Sequence, residues 1–227
     1  MKRVLMFSLA ALAVLAIGAA PAYAGKKESA KSYTYKITVE NLTKTQPLSP
    51  PVFAVHKGKG KVWQPGKIAS HGVAGVAEDA NGGVLVDALN KLRSVHTAGL
   101  GADAPIGPGA SAMFEVTTKG RYNRLSIVSM LVNTNDAFTG LNSKRLNRAK
   151  NKMRMVQKGA YDAGSEANTQ FKTDIPGPCC MNPFVRVPEG DVIRKHDGIK
   201  DGVGDLTVAD YGWTGPVAKI TIERVES

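Results

Sequence analysis

RLSIVSMLV, residues 124–132, is apolar on both of its faces. Leu125, Ile127 and Leu131 fall on one side, and Val128, Met130 and Val132 on the other. A strand of that pattern is covered on both sides and sits centrally in its sheet. Other stretches alternate instead. SYTYKITVEN (32–41) sets Tyr33, Tyr35, Ile37 and Val39 against Thr34, Lys36 and Thr38. PVAKITIERV (216–225) sets Ala218, Ile220 and Ile222 against Lys219, Thr221 and Glu223. Both read as half-buried strands. VFAVH (52–56), GPGASAMFEVTTKG (107–120), MRMVQ (153–157) and FVRV (184–187) supply further short strands, some introduced by turns.

One helical excursion is expected within residues 66–98. Leu85, Ala88, Leu89, Leu92 and Val95 follow the spacing of one helical face. Asn81, Gly82 and Gly83 would open that helix, and Gly99 would close it. KIASHGVAGVAEDA (67–80) predicts a weaker helix, interrupted by Gly72 and Gly75. Six or so strands, long Gly/Pro loops and inserted helices predict a mainly β fold, an antiparallel sandwich.

The first 24 residues read as a secretory signal peptide. Lys2 and Arg3 precede the apolar run 4–20, and Ala22-Tyr23-Ala24 is a small-x-small cleavage signal. Residues 25–31, GKKESAK, form a polar linker expected to be disordered. Residues 32–227 are long enough for one domain with a sizeable core. The expected mature protein has no membrane-spanning stretch and is periplasmic or extracellular. Loss of Lys2 and Arg3 takes the formal charge from +11 to +9. That balance suits anionic envelope polymers or lipid head groups, and export makes nucleic acid the least suited partner.

The two cysteines, Cys179 and Cys180, are adjacent. Export favours oxidation, but neighbouring Cα atoms are closer than in ordinary disulfides. A strained vicinal disulfide and a free or metal-binding pair both remain open. Catalytic signatures are thin. There is no G-x-S-x-G and no H-E-x-x-H, and His56, His71, His96 and His196 are scattered. A non-enzymatic protein is expected.

Chemistry can sit in two loops. NTNDAFTGLNS (133–143) carries Asp136 just past the central strand. YDAGSEANTQF (161–171) carries Asp162 and Glu166, with Gly164 to allow a tight bend. If the strands bearing these loops pair, three carboxylates meet at one end of the sandwich. Like charges so close raise one another's pKa, and a divalent cation removes that cost. Hard Ca²⁺ accepts carboxylates, carbonyls and water, and Asn135 and Asn168 could complete the shell. Solvated acids paired with the nearby basic stretch are the alternative. That stretch holds Lys144, Arg145, Arg148, Lys150, Lys152, Arg154 and Lys158. It can grip an anionic surface or serve as a solvated edge that discourages strand pairing. HDGIKDGVGD (196–205) fails as an EF-hand loop: Ile199 and Val208 occupy places that need oxygen ligands.

Five motifs in order resemble the spondin N-terminal domain family, in its bacterial exported single-domain form. They are YKITVENLTKTQPLSPPVFAVH, SMLVNTNDAFTGL, AYDAGSEANTQF, IPGP and GDLTVADYGWTGPVAKITIERV, spanning about Tyr33 to Val225. The resemblance implies a C2-like β-sandwich that binds calcium through its end loops and, in animal members, acts in matrix and cell adhesion. It implies Asp136, Asp162 and Glu166 as the calcium ligands, with Ser165 replacing a threonine of the family loop. Ala137 departs from the aromatic residue of the animal members, and the basic stretch is longer. Adhesion is carried over by fold analogy alone. The expectation is an exported calcium-binding module for a protein or an anionic envelope polymer, with a lipid- or polymer-binding basic surface as the alternative.

Overall fold

The computed structural model describes residues 30–58, 60–149 and 153–225. The expected signal peptide, residues 25–29 of the linker, and Lys150 and Lys152 of the basic stretch lie outside the described residues. The elements are β1 (Ser32–Asn41), β2 (Val52–His56), α1 (His71–Asp79), α2 (Gly82–Asn90), β3 (Val95–Leu100), β4 (Ser111–Lys119), β5 (Arg124–Met130), β6 (Ala137–Thr139), β7 (Lys144–Arg145), β8 (Met153–Lys158), β9 (Tyr161–Asp162), β10 (Arg194–Lys195), α3 (Val208–Tyr211) and β11 (Ala218–Arg224). One sheet has the order β4-β1-β11-β8. The other runs β10-β9-β6-β5-β2-β3, with β7 also on β5. Pairing is antiparallel throughout. The fold is mainly β, an antiparallel sandwich, as the strand patterns predict.

Alternation in β1 and β11 places Tyr35, Ile37, Val39, Ala218, Ile220 and Ile222 on the inner face of the four-stranded sheet. They pack there against Val55, Leu125, Ile127 and Leu131. β5 is covered on both sides, as its two-faced pattern requires. Val128 points the other way, into a second cluster with Val73, Val76, Leu85 and Leu89 of the two longer helices. Those helices are the second layer over the larger sheet. Ser70 opens α1 by accepting the Val73 N–H at 3.3 Å, and Ala80 closes it in the left-handed conformation.

Three expectations need correction. The helix predicted to run to Gly99 stops at Asn90, and Val95–Leu100 is instead β3, paired with β2. The free edge of β2 outweighs the helical spacing of Leu92 and Val95, because a buried strand must place its backbone hydrogen bonds somewhere. Asn90 ties the two ends together: its side chain bonds both the N–H and the C=O of Ala98. FVRV (184–187) is no strand. Phe184 has φ 68°, and its neighbour Arg186 is drawn to acidic partners described below. The strand count is also higher than six, since β7, β9 and β10 are two-residue pairings too short to leave an alternation signal.

Candidate functional site

β6 and β9 pair through Ala137↔Asp162 and Phe138↔Tyr161. That pairing joins the two acidic loops, and Ala163 N–H donates to the Asp136 carbonyl at 3.2 Å. Phe138 and Tyr161 both pack on Trp63, with ring centroids 5.1 and 4.8 Å away. The aromatic cluster gives the loops a rigid base.

Gly164 makes the bend. Its φ is 69°, and a Cβ there would meet the Asp191 backbone at 2.6 Å. Asp162 Oδ1 accepts the Gly164 N–H at 2.6 Å, a side-chain-to-backbone turn. Asp136 Oδ2 then holds the far side of the loop. It accepts the N–H groups of Ser165 and Glu166 at 2.9 and 3.0 Å and the Ser165 hydroxyl at 3.2 Å.

The three carboxylates are buried, with Asp136 at 0%, Asp162 at 3% and Glu166 at 1% exposure. They differ in what meets them. Asp162 is saturated: its Oδ2 accepts from Asn168 Nδ2 at 2.7 Å and faces Arg194 Nη2 at 2.9 Å. Among the described residues, Asp136 Oδ1 and both oxygens of Glu166 have no hydrogen-bond partner. Arg186 Nε lies 3.3 Å from Glu166 Oε1, near enough for charge attraction but not aligned as a hydrogen bond. Burial, reinforced by the Asp162 charge, pushes Asp136 up to about 7, against the pull of its three donors. Burial pushes Glu166 up to about 8, helped by Glu78, Asp136 and Asp174.

The compensating cations are not those of the 144–158 stretch. Arg186 pairs with Asp79, with Glu78 at 2.7 Å and with Glu166. Arg194 pairs with Asp191, with Glu189 at 3.0 Å and with Asp162. Sequence reasoning missed Arg186, Arg194, Glu78 and Asp79. A signal existed for the last two: both acids end α1, where the helix dipole disfavours them, so something cationic must hold them. Asn135 and Asn168 are also engaged elsewhere. Asn135 Oδ1 accepts the Gln170 N–H at 3.2 Å, and Asn168 bridges Asp162 to His196. Among the described residues no three His, Cys, Asp or Glu side chains are set to share one metal ion.

The basic stretch is divided between the sheets. Lys144 and Arg145 form β7 beside β5, whereas Arg154 and Lys158 belong to β8, the edge of the smaller sheet. Arg145, Arg148 and Arg154 line a cavity of about 360 Å³. Cys179 and Cys180 form a disulfide, which leaves no thiolate pair for a soft metal. Among the described residues no helix is long and apolar enough to cross a membrane.

No protein-family model and no curated protein matches the chain. The spondin-domain resemblance therefore rests on its five motifs.

Proposed function

We propose that the chain is an exported binding module in which Ca²⁺ neutralises the acidic end of the sandwich and fixes its loops as a recognition surface. The observation that carries this reading is the set of three buried carboxylate oxygens that accept no hydrogen bond among the described residues, Asp136 Oδ1 and Glu166 Oε1 and Oε2, of which Glu166 Oε1 faces Arg186 at 3.3 Å. Buried polar atoms nearly always have hydrogen-bond partners, and a buried carboxylate oxygen without a donor is costly. Asp136 and Glu166 are the residues that would hold the ion, with backbone carbonyls and water completing its oxygen shell. Asp162, with both oxygens engaged, positions the loop. The ion supplies charge neutralisation, and the reading is non-catalytic. Adhesion or polymer binding at the cell envelope follows by analogy to the resembled family.

Calorimetry of chelator-treated protein tests it. Saturable Ca²⁺ binding, with a dissociation constant at or below about 1 mM as in extracellular modules, is expected for the native chain and lost in Asp136→Asn and Glu166→Gln. Absence of heat together with an unchanged melting temperature in Ca²⁺ would end the cation reading. The arginine-lined cavity favours a second reading, attachment to anionic lipid or polymer through Arg145, Arg148 and Arg154. Co-sedimentation with phosphatidylglycerol vesicles that fades as salt rises is its expected signature.

A further inference from the structure

Trp213 stands on the GWTGP segment between α3 and β11 and forms a wall shared by two cavities. One, of about 600 Å³, is also lined by Gln157, Lys195, His196 and Asp197. The other, of about 290 Å³, is also lined by Thr45 and Thr214. The larger lies well within the range of about 300–1,000 Å³ common to ligand pockets, the smaller at its lower edge.

The indole is held rigidly. It packs against both the sandwich core and the small cluster of Ile175, Ile199 and Leu206. His196 lies against its ring at 5.3 Å. His196 is itself fixed: its Nδ1 accepts the Gly198 N–H at 2.8 Å, and its Nε2 meets Asn168 Oδ1 at 3.0 Å. An amide oxygen only accepts, so Nε2 carries the proton and Nδ1 does not. The ring is neutral, in keeping with the downward push that burial exerts on its pKa.

The chemistry of the walls narrows the ligand. Lys195 and Asp197 bring one charge of each sign, and Asp197 is already held by Lys200 at 3.0 Å. Lys44, exposed to solvent, is the remaining charge in either wall. The other groups are the Trp213 indole, the His196 imidazole, an amide, hydroxyls, glycine backbone and the apolar Leu42, Ala160, Val208, Ala209 and Pro216. Thr214, on the rim of the smaller cavity, is exposed and offers its hydroxyl to a ligand there. A flat electron-rich face beside uncharged hydrogen-bonding groups suits a ligand with C–H faces and a hydroxyl rim. It suits neither a phosphate, which needs concentrated positive charge, nor a purely apolar ligand, which would strand the hydroxyls.

We propose that Trp213 is the stacking platform of a binding site for a neutral oligosaccharide, with sugar rings seated in the two cavities that flank it. The site does not depend on the cation reading, since neither Asp136 nor Glu166 lines either cavity.

Fluorescence titration tests it directly. The chain has two tryptophans; Trp63 is 4% exposed, with its N–H facing the Ile127 and Leu141 carbonyls, so a ligand-dependent signal reports on Trp213. The full chain is titrated with cellopentaose, maltopentaose and penta-N-acetylchitopentaose. At least one should give a saturable change by about 10 mM that resists added salt, because the ligand is neutral. Gln157→Ala and Thr214→Val, each altering an exposed side chain, should each weaken that binding by roughly tenfold. Thr214→Val should do so without lowering the melting temperature, because the side chain is exposed. Trp213→Ala should abolish binding. If that variant does not fold, Gln157→Ala and Thr214→Val decide. Absence of a signal with all three sugars, affinity unchanged in both of those variants, or binding that collapses with salt would each overturn the proposal.

Discussion

Ile37 in β1 and Glu166 in the loop after β9 are shielded from water to the same degree, at 0% and 1% exposure. Ile37 meets other apolar groups across the sandwich. Glu166 meets an arginine too poorly aligned to donate to it and three acidic neighbours. Burial stabilises the first and is a cost for the second, so equal exposure carries opposite energetic signs. The core supplies stability that ignores pH and ions. The acidic end gives back part of that stability and makes the fold responsive to protons. A region that the rest of the molecule must support is where a binding role is to be sought.

The contrast is sharpest at the core. Ile37→Ala should lower stability by about 2–5 kcal/mol, the usual cost of a large-to-small core change. The loss in urea unfolding should be the same at pH 5 and pH 8, with or without Ca²⁺. A loss that varied with either condition would erase the distinction between the two regions.

Glu166→Gln should act in the opposite direction. Removing a buried charge that accepts no hydrogen bond and has only a misaligned arginine beside it should raise stability in chelator at pH 8 by about 1–3 kcal/mol, with little effect at pH 5. Equal effects at both pH values would show that the carboxylate is already neutralised.

The native chain should carry the same signature in its pH profile. Unfolded carboxylates titrate near 4, whereas the folded Asp136 and Glu166 titrate at about 7 and about 8. Between those limits the folded state binds more protons than the unfolded one, so stability falls as pH rises. In chelator, the melting temperature should decline from pH 5 to pH 8. Ca²⁺ should flatten that decline by favouring the ionised carboxylates.

The smallest change is expected at Arg194→Ala. Its guanidinium is about one-third exposed and shares three acids, so solvent screening limits the loss to about 1 kcal/mol or less. Asp162 loses one of its donors there but keeps Gly164 and Asn168. A larger loss in urea unfolding would mean that Arg194, rather than backbone bonding, holds the acidic loop.

The legible parts of the fold follow from periodicity. β1, β5 and β11 announce themselves because burial on one face or two leaves a pattern seven to ten residues long. The meeting of Asp136 with Asp162 and Glu166 was legible for a related reason: it needs only that the strands on either side of two loops pair. The illegible parts depend on partners distant in the chain. Arg186 finds Asp79 across 107 residues, and no local spacing encodes that. The end of α2 was misread because Leu92 and Val95 keep helical spacing, while the hydrogen bonds that claim Val95–Leu100 come from β2. Trp213 carried no chemical meaning in sequence, as the cavities beside it are assembled from five separate segments.

By itself, then, the sequence determined a sandwich of antiparallel strands and two acidic loops that meet if their flanking strands pair, because alternation and turn chemistry are local properties of the chain. Tertiary structure alone decided which carboxylate oxygens are left without partners, which arginines answer the acids, and where an indole is left facing open space. Those outcomes depend on desolvation and on contacts between distant segments, which exist only once the two sheets have closed on each other.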